Sequence, residues 1–192
     1  MTRPNVEAIV IGASAGGVGA LLKLLPGLPA RFKPPVIVVL HMPPHHESRL
    51  GAILQHRTHL PVREVRDKEP IEGSTIYVAV PDHHLSIEDD FSFSLSGEEP
   101  VCFARPSIDV LMNSAAQAYG AGLAGVLLSG ANVDGARGLA YIGELGGLTI
   151  VQDPSEAEVP TMPQAAIDLR NPDHVLPLAG IHDLLLNLGG QP

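Results

Sequence analysis

The chain has one cysteine, no tryptophan and three lysines among 192 residues, and aromatic side chains make up only 4% of it. Each shortage excludes something. A lone thiol, Cys102, cannot close an internal disulfide, so a stapled secreted scaffold is excluded and a reducing, cytoplasmic location is expected. Twelve Lys and Arg against 21 Asp and Glu give a formal net charge of −9 with no basic block, which argues against a nucleic-acid partner. No apolar run approaches the roughly 20 residues of a membrane helix, so no membrane insertion is expected. The opening residues, MTRPNVEAIVIG, also lack the apolar core of a signal peptide.

What is present suits one well-cored globular domain over residues 1–192: 45% hydrophobic, 17% charged, rich in glycine and proline. Continuous β-branched runs predict buried strands at Ala8–Gly12, Val36–Leu40, Thr75–Val80, Gly125–Ser129, Leu148–Asp153 and His174–Leu178. Between them lie helix-like stretches: Gly16–Leu25, Glu47–Gln55, one capped by Ser107, one from about Gly135, Pro163–Leu169 and Ile181–Leu188. The segment HLSIEDDFSFSLSG alternates on both sides of Asp89 and Asp90, as a hairpin does, and is expected as an antiparallel edge. The pattern predicts an α/β fold: a doubly wound, mostly parallel sheet with helices on both faces and a β-hairpin edge insertion. Ligands and catalytic groups of such folds gather where the strands' carboxyl ends open into a crevice.

Three strand ends carry chemistry. Gly12-Ala13-Ser14-Ala15-Gly16 fits G-x-S-x-G, a sharp strand-to-helix turn that lifts a serine hydroxyl above the sheet. A dinucleotide fingerprint fails because Leu22 stands at its third glycine position and His41 where an acidic residue is needed for the ribose. A P-loop fails for want of Gly-Lys-Ser/Thr, leaving a nucleophile or a plain tight turn. His41 follows the second strand directly, and Asp134 opens a helix after the third strand, where its ordinary role is a cap. A serine, a histidine and a carboxylate on one rim are the parts of an acyl-transfer triad. His41 would take the Ser14 proton, and Asp134 would fix the imidazole tautomer. His41, His45 and His46 in HMPPHH lack the further ligands of a metal site, so no metal and no cofactor are expected. Cys102 reads as an inert residue.

These segments resemble the catalytic domain of CheB, the chemotaxis protein-glutamate methylesterase. IGASAGG resembles that family's nucleophile turn, VVLHMPP its histidine segment and ARPSIDVLMNSAA its R-P-S-x-D-V-L-x-x-S-A segment. GVLLSGANVDGARGL resembles its aspartate loop and IVQDPSEAEVPTMPQAAI its closing stretch, all in order over about residues 7–180. The resemblance implies hydrolysis of glutamyl methyl esters on methyl-accepting chemoreceptor cytoplasmic domains, with glutamine deamidation alongside. It implies Ser14 as nucleophile, His41 as base and Asp134 as orienting carboxylate. Backbone N–H groups of Ala15, Gly16 and Ala131 are the oxyanion candidates, and Arg105, Ser107 and Met162 the substrate-rim candidates, with helix capping for Ser107 and core packing for Met162 as equal alternatives.

Two positions depart from the family pattern: Ala15 stands for the usual threonine, and Ala131 for the methionine of T-G-M-G-x-D-G. CheB proteins commonly carry a receiver domain ahead of the esterase. A first strand at about Ala8 leads to the expectation that none precedes it here. Activity would then be constitutive or set by a separate regulatory receiver protein, unless the sequence is a piece of a longer one. The competing readings are a non-catalytic receptor-array binding module of the same fold and a serine esterase of another substrate. A nucleotide-binding domain comes last.

Overall fold

Strand β1 (Ala8–Ala13) is buried at every position, as its unbroken apolar sequence requires of a strand covered on both faces. It is the centre of a seven-stranded sheet in a computed structural model that describes residues 5–41 and 49–189. On one side β1 pairs with β2 (Val36–Leu40), which is followed outward by β4 (Ile76–Val78) and β3 (Val62–Glu64). On the other side come β7 (Leu123–Leu127), β8 (Leu148–Gln152) and β9 (His174–Leu176). All these pairings are parallel.

Side-chain alternation along β1 sorts the core into two layers. Ile9, Ile11 and Ala13 face helices α1 (Gly17–Leu24), α2 (Leu50–Gln55) and α6 (Leu178–Leu188), among Leu21, Leu24, Leu54, Ile181 and Leu185. Ala8 and Val10 face α3 (Ile108–Tyr119), α4 (Ala136–Glu144) and α5 (Thr161–Leu169), among Leu111, Met112, Ile142 and Met162. Each such buried Leu or Ile contributes roughly 1.5–3 kcal/mol. The expected doubly wound α/β sheet is therefore present. No helix of the described residues is long and apolar enough to cross a membrane.

The hairpin, β5 (His84–Ile87) and β6 (Phe93–Ser96), differs from expectation: it forms a two-stranded sheet of its own rather than an edge of the main one. Short β3 and β9 already hold both edges, and the hairpin buries Leu85, Ile87 and Phe93 in the α3-side layer. There Phe93 meets Tyr77 edge-on at 4.8 Å, and Ile87 N–H donates to Ser114 Oγ at 3.0 Å. Strand β3, unforeseen from sequence, has only three residues, Val-Arg-Glu, and none is fully buried. Helix α6 starts at Leu178, three residues ahead of the expected Ile181. The first residues of the helix expected at Glu47–Gln55 and the residues His45 and His46 lie outside the described residues.

Candidate active site

Ser14 and His41 each stand one residue beyond a pair locked in parallel register, Ala13 opposite Leu40. The ladder continues into the site, with His41 N–H donating to Ala13 O at 3.0 Å. The serine turn is buckled down by Ser129, which follows β7. Ser14 N–H donates to Ser129 O at 2.9 Å, and Ser129 Oγ donates to Ala15 O at 2.7 Å. Gly16 closes the turn at φ +77°, a left-handed conformation that suits glycine. A Cβ at Gly16 would sit 2.7 Å from Glu158 Cβ and 2.8 Å from Ser129 Oγ, so the position excludes a side chain on steric grounds as well.

Asp134 is fully buried and accepts four hydrogen bonds. His41 Nε2 lies 2.7 Å from its Oδ2, Ile108 N–H donates to Oδ2 at 2.7 Å, and Ser107 Oγ and Asp109 N–H donate to Oδ1 at 2.8 and 3.0 Å. Burial opposes ionisation. The bonds from His41, the Asp109 and Ile108 amides and Ser107 outweigh it and hold the carboxyl below its ordinary range. An ionised carboxylate only accepts, so Nε2 carries a hydrogen in this pair, and in the neutral imidazole Nδ1 is then the nitrogen with the lone pair. Ser14 and His41 line one cleft. Among the described residues the Ser14 hydroxyl makes no hydrogen bond.

Two residues to which sequence reasoning gave no part in the site support this arrangement. Asp109, in the first turn of α3, accepts from Gly135 N–H at 2.9 Å and Gly138 N–H at 2.7 Å, at the start of α4. Burial raises its pKa, the Gly138 amide opposes the rise, and the Asp134 charge adds to it; the net shift is upward. His84, also buried, accepts from Ser107 N–H through Nδ1 at 3.2 Å. Its Nε2 therefore carries the hydrogen that is given to Glu99 O at 3.0 Å. The one sequence clue to Asp109 was its place in PSIDVL, two residues after a helix cap.

The cleft, about 420 Å³, is walled largely by the segment before α3: Pro100, Cys102, Phe103, Ala104, Arg105 and Pro106, with Asp82 and Asn132 completing it. Arg105 Nη1 donates to Gly97 O and Glu98 O, each at 3.0 Å, tying the wall's two ends together. Between them Val101 and Ala104 exchange backbone hydrogen bonds of 3.1 and 2.9 Å around a two-residue turn. Both turn residues are left-handed, Cys102 at φ +49° and Phe103 at φ +63°. For a residue with a side chain that conformation costs roughly 1–3 kcal/mol.

Of the three rim candidates only Arg105 lines the cleft, and its buried Nε has no hydrogen-bond partner among the described residues. Ser107 is buried as the cap of α3 and as a donor to Asp134. Met162 is buried too, and packs where a side chain on Gly130 would stand. Ala15 and Ala131 are exposed, and their N–H groups make no hydrogen bond among the described residues. Cys102 Sγ and the carboxylates of Asp109 and Asp134 lie within 4.8 Å of one another. The oxygens are aimed at N–H and O–H donors, and burial with the two aspartate charges pushes the thiol pKa up. A donor set so committed fits a cation poorly.

The CheB methylesterase family model matches residues 9–185. A Leptospira interrogans protein is 46% identical over 184 residues, which cover 96% of this chain and 95% of that one. The protein-glutamate methylesterase/protein-glutamine glutaminase 2 of Anaeromyxobacter dehalogenans is 39% identical over 96% of this chain, which spans only 54% of its length. The crystal structure of the Thermotoga maritima CheB methylesterase catalytic domain superposes with a TM-score of 0.91 at 32% identity, covering 95% of this chain and 98% of that one.

Proposed function

The chain belongs to the CheB methylesterase family, and from that premise we propose that it hydrolyses glutamyl methyl esters of methyl-accepting chemoreceptors, with Ser14 as nucleophile. The observation that carries the reading is the 2.7 Å pair between His41 Nε2 and buried Asp134, at a cleft that Ser14 also lines. With Nε2 holding its hydrogen against Asp134, Nδ1 is the base that takes the Ser14 proton as the hydroxyl attacks the ester carbonyl. The oxyanion forms next to the unengaged N–H groups of Ala15 and Ala131, whose short side chains leave donor capacity intact. Collapse of the tetrahedral adduct breaks the C–O bond, and the proton on Nδ1 goes to the methoxy oxygen, so methanol leaves. Water then gives a proton to Nδ1, attacks the acyl-serine, and releases the glutamate carboxylate and the Ser14 hydroxyl. The same steps on a glutamine side chain expel ammonia, in keeping with the glutaminase part of its relatives' names.

Methanol release from a methylated chemoreceptor cytoplasmic fragment tests this, with Ser14→Ala alongside. Release that disappears in the variant is the expected result. Release that persists in it would overturn Ser14 as nucleophile, and none from the folded wild type across several receptors would overturn the substrate assignment.

A further inference from the structure

Among the described residues the large apolar side chain most exposed to solvent is Phe103, at 105% of its reference area. At that exposure the ring gains almost no burial within the fold. It is nevertheless held firmly. Its turn closes through two backbone hydrogen bonds, and the wall that carries the turn is clamped twice: by Arg105 on Gly97 and Glu98, and by His84 between Glu99 and Ser107. Both turn residues adopt left-handed backbone with ordinary side chains, a conformation that persists only where its surroundings enforce it.

Phe103 lines the same cleft as Ser14 and His41, and two more exposed apolar side chains lie on cleft-forming segments. Val101 is 38% exposed at the base of the turn, and Val133 is 55% exposed between Asn132 and Asp134. Apolar side chains left exposed at the mouth of a reactive cleft offer a contact to the substrate's own surface. A methyl ester is too small to reach both Ser14 and an outward-pointing aromatic ring. The occupant is the polypeptide that bears it.

We propose that Phe103 is a specificity-determining residue: a preorganised aromatic anchor for an apolar side chain of the protein segment flanking the glutamyl ester. The inference rests on the functional reading above. Because the turn is already fixed, docking loses little conformational entropy there, and the contact acts on binding rather than on the chemical step.

The test measures methanol release from a methylated receptor fragment by wild type, Phe103→Ala, Phe103→Leu and Phe103→Gly. Separately, Kd for that fragment is measured in the Ser14→Ala background with and without Phe103→Ala. Expected is a rise in KM and Kd of about tenfold for Ala, with kcat within about twofold. Leu should recover most of the loss. Gly, which suits left-handed backbone, should behave like Ala, because the side chain and not the turn makes the contact. Unchanged KM and Kd would overturn the proposal, as would a fall in kcat at constant KM. So would unchanged Kd combined with lost binding to phospholipid vesicles or a lost dimer in sedimentation, which would assign the ring to a membrane or a second copy. If the wild type binds but releases no methanol, the esterase reading fails while the paired Kd values still decide the role of Phe103.

Discussion

Asp109 and Asp134 cap one another's helices. Asp134, just ahead of α4, accepts from the Ile108 and Asp109 amides that open α3, and Asp109 accepts from Gly135 and Gly138 at the start of α4. Each carboxylate takes up orphan N–H groups and meets the positive end of the other's helix. The exchange fixes how α3 sits on α4, and with it where the carboxylate meets His41.

The two carboxyls respond to pH in opposite senses. The Asp134 pKa is lowered in the fold, so its stabilisation is complete above the unfolded value of about 3.9 and is lost as pH falls through the folded value. The Asp109 pKa is raised, so its contribution is complete below about 3.9 and is lost as pH rises toward the folded value. Asp109→Asn keeps an acceptor oxygen and removes that second dependence. Its stability relative to wild type should therefore improve between pH 3.5 and pH 7 (test conditions chosen to bracket about 3.9), as read by urea unfolding at each pH. A constant difference would mean that Asp109 titrates alike in both states.

Asp134→Asn should lower kcat for methanol release by about 10³–10⁴-fold, because an amide can no longer both orient and charge-stabilise the His41 imidazolium. Its effect should fall on kcat rather than KM. Asp134→Ala, which strands buried donors from Ser107, Ile108 and Asp109, should also destabilise the fold by roughly 3 kcal/mol or more, visible in chemical denaturation.

Ser129→Ala removes the hydroxyl that binds Ala15 O and accepts from Val159 N–H at 2.9 Å. A loss of about 1–3 kcal/mol is expected, together with a drop in kcat as the nucleophile turn loosens. Unaltered turnover in the folded variant would show that the turn holds its shape without this buckle.

Gly16→Ala forces a side chain into left-handed backbone and against Glu158 and Ser129. Destabilisation of roughly 1–3 kcal/mol should accompany loss of esterase turnover. Gly19→Ala is the control, since a Cβ there meets nothing within 4 Å.

What could be read in advance was what lies close along the chain. Strands β1, β2 and β7 show as unbroken apolar runs, and the gathering of Ser14, His41 and Asp134 at one rim was legible because strand ends of a doubly wound sheet converge. The supports were hidden because they join distant positions: Ser129 reaches Ala15 across 114 residues, and Asp109 reaches Gly138 across 29. Neither residue type announces such a partner, since a buried Asp in a first helical turn looks like any helix cap. Met162 carried two readings in the sequence, rim and core, and packing settles where it lies: its side chain fills the space beside Gly130 and does not line the cleft.

Two kinds of anchorage meet at this site. Ser14 and His41 are extensions of the central ladder, whose amides are among the last to open in a fold of this kind, whereas Asp134 arrives on a pair of docked helices. The site therefore depends on two anchorages at once. If warming undocks α3 from α4 before the ladder opens, turnover should be lost while amide exchange at Val10 and Val38 is still protected, and thermal inactivation would report the lifetime of a helix contact and not the melting of the sheet.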